Sequence, residues 1–381
     1  MRRTRLFVVI GTRPEAVKLA PVVRAARRRS DAFETIVCLS GQHRELVASL
    51  VDYFDLRPDV DLQVMAPNQN LAELTARCLR KTDDALAQYE PDVVVVQGDT
   101  TTAGAAALAG FYRRLDVCHV EAGLRTGDLR SPFPEEFNRR TIASAAALHC
   151  APTSPAVDNP RRRGIPDARI VVTGNTGVDA LLETVERERA SCGDPRSATN
   201  ASPSVLVTAH RRESFGRGLA EVCRAVRTLA GRFPNHAFVW PVHLNPQVFD
   251  PVRAALGDVA NVRLVPPLDY PAFVRAMDRA SLILTDSGGI QEEAPSLGKP
   301  LLVLRNDTER PEGVEAGCAE LVGTDEARIV ARAAFHLDAI LRGETRRMPP
   351  NPYGDGAAAP RVLDAIHTLR AERRNAGQDG P

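Results

Sequence analysis

Several carboxylates of this 381-residue chain lie where apolar, strand-like runs end or where helices begin. Asp99 follows the run Val93–Gln97 after a single glycine, Glu121 ends the next run, and Glu135 opens a helical stretch. Each has a structural explanation, since Asp and Thr cap helices and acidic residues are favoured in a first turn. For Asp99 alone, capping by Asp99 or a following threonine is the favoured interpretation. Three such carboxylates in one half of the chain nevertheless predict a cleft where protons can be taken up and released.

Two other segments favour anion binding. Gly11–Glu15 follows the first strand-like run and starts a helix, with Lys18 about one turn later. Amide groups of a first helical turn attract anions, and an ordinary strand–helix turn with solvated charges is an equally good explanation there. In the second half, Asp286–Gly289 also opens a helix, and its serine and glycines let amides approach a phosphate closely. Glu293 is placed to accept from ribose hydroxyls, and Arg310 to add a charge on a diphosphate.

Short β-branched runs alternate with amphipathic stretches along the chain, which predicts parallel sheets covered by helices on both faces. The predicted strands are Leu6–Ile10, Thr35–Leu39, Val93–Gln97, Val117–Glu121, Leu148–Pro152, Ile170–Gly174, Val205–His210, Phe238–Val242, Val262–Pro266, Leu282–Asp286, Leu301–Leu304 and Glu320–Gly323. The fold class is therefore α/β, with two doubly wound Rossmann-like domains and a ligand in the interdomain cleft, at the carboxyl ends of the strands.

The domain bounds follow from breaks in this alternation. We predict an N-terminal Rossmann-like domain over 1–173, a C-terminal one over 174–360, and a helix with a tail over 361–381. The polar segment Ser191–Pro203 has no hydrophobic period, so we expect a loop or a disordered insertion there.

Charge and cysteine content exclude several classes of protein. The 49 basic and 48 acidic residues give a net charge of +1, which argues against a dedicated nucleic-acid partner. Seven cysteines without a C-x-x-C pair predict neither a disulfide framework nor a zinc ribbon. No apolar run is long enough to span a membrane, so we expect a cytoplasmic protein. Metal and dinucleotide motifs are also missing, and we predict no cofactor.

The motifs at these strand ends are long, uninterrupted and in order. With them the chain resembles the bacterial non-hydrolysing UDP-N-acetylglucosamine 2-epimerases from Gly11–Glu15 to Asn351–Gly356, about nine-tenths of its length. The most specific segments are Gly98–Thr102, His119–Gly127, His210–Gly216 and Thr285–Pro300. The resemblance implies a glycosyltransferase-B-like fold with a final helix crossing back to the first domain, and a homodimer.

The resemblance also implies a reaction. A base removes the C2 proton of the sugar while UDP leaves C1, which gives 2-acetamidoglucal and UDP. UDP then adds back as a proton reaches the opposite face, which gives UDP-N-acetylmannosamine. The route needs a base, an acid, cations on the diphosphate and exclusion of water.

Site residues follow from the matching motifs. The acid/base carboxylates are Asp99, Glu121 and Glu135, without an assignment of each to one face, and His210 assists departure of UDP. Contacts to nucleotide and substrate are implied for Arg13, Lys18, Phe273, Ser287, Gly288, Gly289, Glu293 and Arg310. A second, regulatory site for UDP-N-acetylglucosamine as activator is implied by Gln42, Gln69, Glu136, Arg211 and His243, although Asn68 stands where some of these relatives have arginine.

Four alternatives stay open. A 2-epimerase of another UDP-2-acetamido sugar, such as a diacetamido uronate, would use the same groups. A hydrolysing epimerase is disfavoured because Gly98–Thr102 follows the non-hydrolysing pattern. A retaining glycosyltransferase would not require three carboxylates in the first domain. A UDP-sugar sensor would need only the nucleotide pocket of the second.

Overall fold

The computed structural model of the chain describes residues 2–42, 44–192, 203–211, 214–344 and 347–377. It contains two compact units, Met1–Ala180 with Gly354–Pro381, and Leu181–Tyr353. Most of the polar segment predicted as a loop or insertion, residues 193–202, lies outside the described residues. None of the helices in the described ranges is long and apolar enough to cross a membrane.

The first unit is built on a seven-stranded parallel sheet with the strand order β3-β2-β1-β4-β5-β6-β7. In chain order the strands are β1 (Thr4–Ile10), β2 (Phe33–Leu39), β3 (Val60–Asp61), β4 (Val93–Gln97), β5 (Asp116–Val120), β6 (Leu148–Ala151) and β7 (Ile170–Val172). Its helices are α1 (Arg13–Arg28), α2 (Arg44–Tyr53), α3 (Leu71–Tyr89), α4 (Thr101–Tyr112), α5 (Glu135–Ala145) and α6 (Ser154–Arg162). Helix α7 (Thr176–Cys192) spans the boundary between the units in sequence.

The second unit has a six-stranded parallel sheet with the order β10-β9-β8-β11-β12-β13. Its strands are β8 (Ser204–Thr208), β9 (Ala237–Pro241), β10 (Val262–Val265), β11 (Ala280–Thr285), β12 (Leu301–Val303) and β13 (Glu320–Leu321). The helices are α8 (Arg217–Arg232), α9 (Pro246–Leu256), α10 (Tyr270–Arg279), α11 (Gly288–Glu293), α12 (Pro311–Glu315) and α13 (Glu326–Leu341). The last helix, α14 (Ala358–Asn375), belongs to the first unit.

Both sheets are apolar where helices cover them. All four valines of Val93–Val96 are fully buried in the middle of the first sheet, and Trp240 is fully buried in the second. Continuous apolar strands of this kind are typical of parallel sheets covered on both faces. The predicted α/β class with two doubly wound units is confirmed.

One strand was not predicted. Strand β3 consists of two residues at the edge of the first sheet and pairs only with β2. Because it contains one valine and one aspartate, it has no apolar run or alternation for a sequence pattern to detect.

Buried charges attach α14 to the first unit. The carboxylate of Asp179, on α7, accepts from the N–H groups of Ala358 and Ala359 at the start of α14. Near the other end, Arg370 pairs with Asp116 at 2.9 Å. The residue before α14 is Ala357, which has no side-chain acceptor, so Asp179 supplies the helix cap from elsewhere in the chain.

Candidate active site

The turn between β1 and α1 is organised by a buried glutamate. Oε2 of Glu15 accepts from the N–H groups of Gly11, at 2.9 Å, and Thr12, at 2.6 Å. Oε1 accepts from the hydroxyl of Thr100, at 2.7 Å. Burial raises the pKa of Glu15 to about 7, although these hydrogen bonds act in the opposite direction. Glu15 therefore joins the turn that carries Arg13 to the loop after β4.

Asp99 lies in that loop and does not cap the next helix. Thr100 is the N-cap of α4, because its hydroxyl accepts from the N–H of Ala103. The capping interpretation of Asp99 was therefore wrong, and one of the following threonines fills that role. The Asp99 carboxylate, 23 % exposed, instead accepts from Nε of Arg139 at 2.6 Å.

Glu121 follows the neighbouring strand β5 and has an unusual backbone. Its φ of 63° is in the left-handed region, which non-glycine residues adopt mostly at functional or strained positions. The carboxylate is 7 % exposed and lies 2.5 Å from Nζ of Lys18, and it also accepts from the amide of Gln97. Lys18, predicted as a substrate contact, thus holds a candidate acid/base group. Since β4 and β5 are adjacent, Asp99 and Glu121 start from neighbouring strand ends.

The two glutamates at the start of α5 have different environments. Glu135 is partly buried at the first position of the helix. Glu136 is fully buried and accepts from the N–H of Thr126 and from Arg139 and Arg140. Burial acts to raise the pKa of Glu136, but the backbone donor and the arginines outweigh it, and the net shift is downward. Arg139 therefore bridges the buried Glu136 and Asp99.

The residues predicted for a regulatory site lie in both units. Oε1 of Gln42 accepts from the hydroxyl of Thr102 in α4, at 2.8 Å, and Gln69 accepts from a backbone N–H within its own turn. Together with Glu136, these residues belong to the first unit, whereas Arg211 and His243 belong to the second. Gln42 therefore contacts the segment that contains Asp99, through Thr102. Glu136 is connected to Asp99 through Arg139.

His210, at the end of the first strand of the second unit, is held by Asp286. Oδ2 of this fully buried aspartate accepts from the N–H groups of His210, at 2.6 Å, and Arg211, at 2.7 Å. Its Oδ1 lies 3.1 Å from Nδ1 of His210, whose side chain is 42 % exposed. Burial alone would raise the pKa of Asp286, but His210 and the backbone donors bring it below its usual range. The sequence patterns predict no role for Asp286.

The serine–glycine turn lies beside an arginine. A Cβ at Gly288 would come within 2.9 Å of Cζ of Arg310, so the guanidinium lies directly against the start of α11. Arg310 pairs with the buried Glu292 at 2.9 Å and with Glu309 at 2.8 Å. The predicted contacts Ser287, Gly289 and Glu293 belong to the same turn and helix. Phe273 lies on α10 and is partly buried.

A tyrosine outside the predicted site fixes this arginine loop. The hydroxyl of Tyr353 accepts from the N–H of Gly313 and donates to the carbonyl of Arg310, both at 3.0 Å. The amide of Asn351 donates to the carbonyl of Glu292, at 2.9 Å. The Asn351–Gly356 motif, which only marked the end of the resemblance, therefore positions both partners of the Arg310–Glu292 pair. No cluster of three or more His, Cys, Asp or Glu side chains suited to a metal ion occurs in the described part of the chain.

Comparison with known proteins adds to this geometry. Residues 25–367 match the family model described as UDP-N-acetylglucosamine 2-epimerase. A protein of Salmonella typhimurium named UDP-N-acetylglucosamine 2-epimerase is 48 % identical, with 96 % of this chain and 99 % of the relative covered.

Solved structures agree. The Neisseria meningitidis UDP-GlcNAc 2-epimerase bound to UDP-GlcNAc is 41 % identical, with a TM-score of 0.86 and coverage of 96 % of this chain and 100 % of that one. The glycosyltransferase SnogD of Streptomyces nogalater, 19 % identical with a TM-score of 0.56 and coverage of 96 % and 100 %, shares the fold alone.

Proposed function

The chain belongs to the UDP-N-acetylglucosamine 2-epimerase family, and we propose that it interconverts UDP-N-acetylglucosamine and UDP-N-acetylmannosamine by elimination and re-addition of UDP. The C2 proton of the sugar has no adjacent carbonyl, so its direct removal would be very slow. Loss of UDP from C1 in the same step forms a double bond between C1 and C2 and makes removal of the proton feasible. The intermediate pair is 2-acetamidoglucal and UDP.

One observation carries the proton-transfer part of this proposal: Asp99 and Glu121 follow adjacent strands, and each accepts from a cation. Arg139 pairs with Asp99 at 2.6 Å and Lys18 with Glu121 at 2.5 Å, which fixes the position of each carboxylate. The proton-transfer groups are drawn from Asp99, Glu121 and Glu135. General acid–base catalysis by such groups contributes about 10²–10⁴ in rate.

Groups of the second unit suit the leaving group. The Arg310 guanidinium lies beside the Ser287–Gly289 turn and can add a positive charge to a diphosphate bound there. His210, held by Asp286, can donate to the oxygen that takes the electron pair when the C1–O bond breaks. UDP returns to the glycal by the reverse of these steps, while a proton is delivered to the other face of C2. The route requires no cofactor.

The test is incubation with UDP-N-acetylglucosamine in deuterated water, followed by NMR of the sugar. We expect deuterium at C2 and appearance of the manno epimer, with UDP still attached. Release of free N-acetylmannosamine would indicate a hydrolysing enzyme. A stable sample without exchange would contradict the proposal and favour a transferase, a sensor or another UDP-2-acetamido sugar, such as a diacetamido uronate, which the same assay tests next.

We also propose that UDP-N-acetylglucosamine activates the enzyme at a second site formed by Gln42, Gln69, Glu136, Arg211 and His243. Two contacts support this: Gln42 is bonded to Thr102, and Glu136 reaches Asp99 through Arg139. Occupancy there would act on the segment that holds a candidate catalytic group. Turnover of pure UDP-N-acetylmannosamine should therefore show a lag that a trace of UDP-N-acetylglucosamine removes. Prompt turnover without added activator would contradict regulation.

A homodimer in the cytoplasm completes the proposal. Phe111 and Tyr112 at the end of α4 and Phe137 on the neighbouring α5 are exposed, although aromatic side chains of this size are usually covered. A second copy of the chain would cover them. Light scattering should give twice the chain mass, and Phe137→Ser should shift the equilibrium toward monomer. A monomeric wild type would contradict this part. Because its proposed substrates are UDP sugars, we propose that the enzyme acts in the cytoplasm.

A further inference from the structure

Two histidines of the second unit stack on each other, and their Nδ1 atoms face opposite kinds of group. The rings of His210 and His243 lie 6.1 Å apart between centroids, at 12° to each other. Nδ1 of His243 accepts from the N–H of Asn245 at 3.1 Å, so a neutral His243 carries its proton on Nε2. Nδ1 of His210 faces the Asp286 carboxylate, which can only accept, so a neutral His210 carries its proton on Nδ1.

Asp286 has no freedom to turn away from this contact. It is fully buried, and its Oδ2 already accepts from two consecutive backbone N–H groups, those of His210 and Arg211. These two bonds fix the plane of the carboxylate and leave Oδ1 beside the imidazole. Because Nε2 lies on the far side of the ring from Nδ1, it points away from the buried carboxylate.

We propose that Asp286 is a positioning residue: it keeps a proton on Nδ1 of His210, so that a second proton goes to Nε2 and the charged ring donates from Nε2 to the departing diphosphate. The inference rests on the proposed function for the identity of the ligand, whereas the tautomer is a property of the chain alone. Asp286 acts through His210 and does not itself contact substrate.

When the C1–O bond breaks, its electron pair stays on the diphosphate oxygen, and the C2 proton goes to a carboxylate of the first unit. His210 with a proton on each ring nitrogen donates a hydrogen bond from Nε2–H to that oxygen, while Nδ1–H donates to the Asp286 carboxylate, which offsets the positive charge of the ring. On re-addition the oxygen returns to C1, and Nε2 keeps its proton.

An asparagine at position 286 would reverse the tautomer while keeping the shape of the side chain. The two backbone N–H groups require an acceptor, so the amide oxygen takes the place of Oδ2. The NH₂ group then faces Nδ1 of His210, which must accept. A neutral His210 is thereby forced into the Nε2–H tautomer, the same as its neighbour His243.

The first experiment is ¹⁵N–¹H NMR of histidine-labelled protein at about pH 8.5, two units above the ordinary histidine pKa. The variants His210→Gln and His243→Gln assign the two rings. We expect Nδ1–H for His210 and Nε2–H for His243 in the wild type, and Nε2–H for both in Asp286→Asn. A wild-type His210 with Nε2–H, or an unchanged pattern in Asp286→Asn, would overturn the inference.

The second experiment is a double-mutant cycle on epimerisation. Asp286→Asn should lower kcat by at least about tenfold, because Nε2 then donates from an uncharged ring, and change KM by less than about threefold. In a His210→Gln background the same change should cost less than about twofold more, because its target is gone. Full additivity would show a merely structural role and refute the proposal.

Matched controls separate this inference from the proposed function. Asp250→Asn, at an exposed position of α9, should leave both the NMR pattern and the kinetics unchanged. If wild type shows the expected tautomers but does not epimerise, the proposed function fails and the tautomer assignment stands. If wild type epimerises but Asp286→Asn does so at the same rate, the inference fails and the proposed function stands.

Discussion

The candidate groups of the two units are held by opposite charge arrangements. In the first unit, two acids are paired with cations: Asp99 with Arg139, and Glu121 with Lys18. In the second unit, the groups suited to an anionic ligand are paired with acids: His210 contacts Asp286, and Arg310 contacts Glu292. In both pairs of the second unit, the acid is more buried than its partner.

This difference separates two tasks. A carboxylate paired with a cation is held in place as a group that can exchange a proton, which suits the C2 position of the sugar. A histidine or arginine that pairs with a buried acid is held in a fixed position, which suits recognition of a diphosphate.

Asp99→Asn should lower kcat by about 10²–10⁴, the usual contribution of an acid or base, because the amide cannot take a proton. Steady-state assays of epimerisation measure the effect, with Asp31→Asn, at an exposed turn, as control. UDP affinity should stay within about twofold of wild type. Turnover near the wild-type rate in a folded variant would remove Asp99 from the acid/base groups.

Arg310→Gln should weaken UDP binding by about tenfold to a hundredfold, because a charge-assisted hydrogen bond contributes about 1.5–3 kcal/mol. Calorimetric titration with UDP measures this. Gly288→Ala should also weaken binding, about fivefold, since its Cβ would displace the guanidinium, at about 1 kcal/mol of lost affinity. Gly231→Ala is the control, because nothing lies within 4 Å of its Cβ. Unchanged UDP affinity in both variants would contradict the assignment of the leaving group to the second unit.

The buried Glu15 predicts a pH dependence of stability. The folded chain keeps a proton on Glu15 up to its pKa of about 7, whereas an unfolded glutamate releases it near 4.5. The folded state binds the extra proton in this window, so the free energy of unfolding falls as the pH rises, by about 3–4 kcal/mol at about 1.4 kcal/mol per pKa unit. Urea unfolding at about pH 4 and about pH 8 should show a larger fall for wild type than for Glu15→Gln. Parallel pH profiles would contradict the assignment.

Asp179→Ala tests the cap of α14 and should have the smallest effect. Loss of an acceptor for two first-turn N–H groups should destabilise the first unit by about 1 kcal/mol. Urea unfolding followed by circular dichroism measures it. The exposed Asp364→Ala, which removes a surface ion pair with Arg29, should change stability by less than about 0.5 kcal/mol. Equal effects of the two changes would show that α14 does not depend on Asp179.

Local sequence patterns predicted the strands and turns that carry the candidate residues of both units, but not the ion pairs that hold these residues. The run Val93–Gln97 and the turn residues after it placed Asp99 at a strand end, because apolar continuity and strand length are local properties. The partner of Asp99 was missed, since Arg139 lies 40 residues away in sequence and only the packing of α5 brings it close. Asp286 was missed for the same reason, 76 residues from His210.

Burial was the other property that sequence could not supply. In the sequence, Glu15 is an ordinary acidic residue of a first helical turn. Only the packing of this turn against Thr100 shows that its side chain is buried. Tyr353 likewise acquires its role from contacts with a loop 40 residues earlier. The sequence could not identify the N-cap of α4, because aspartate and threonine both cap helices and Asp99, Thr100 and Thr101 are consecutive.

The central claim is that loss of the C2 proton and departure of UDP are coupled, one on each set of residues. UDP-N-acetylglucosamine with a heavy-oxygen label in the bond between C1 and phosphate, incubated with the wild-type enzyme in deuterated water, reports both events in one sample. We predict that scrambling of the label into the other β-phosphate oxygens accompanies deuterium incorporation at C2. Deuterium at C2 without any scrambling would show that the proton is removed while UDP stays attached, and would contradict the account.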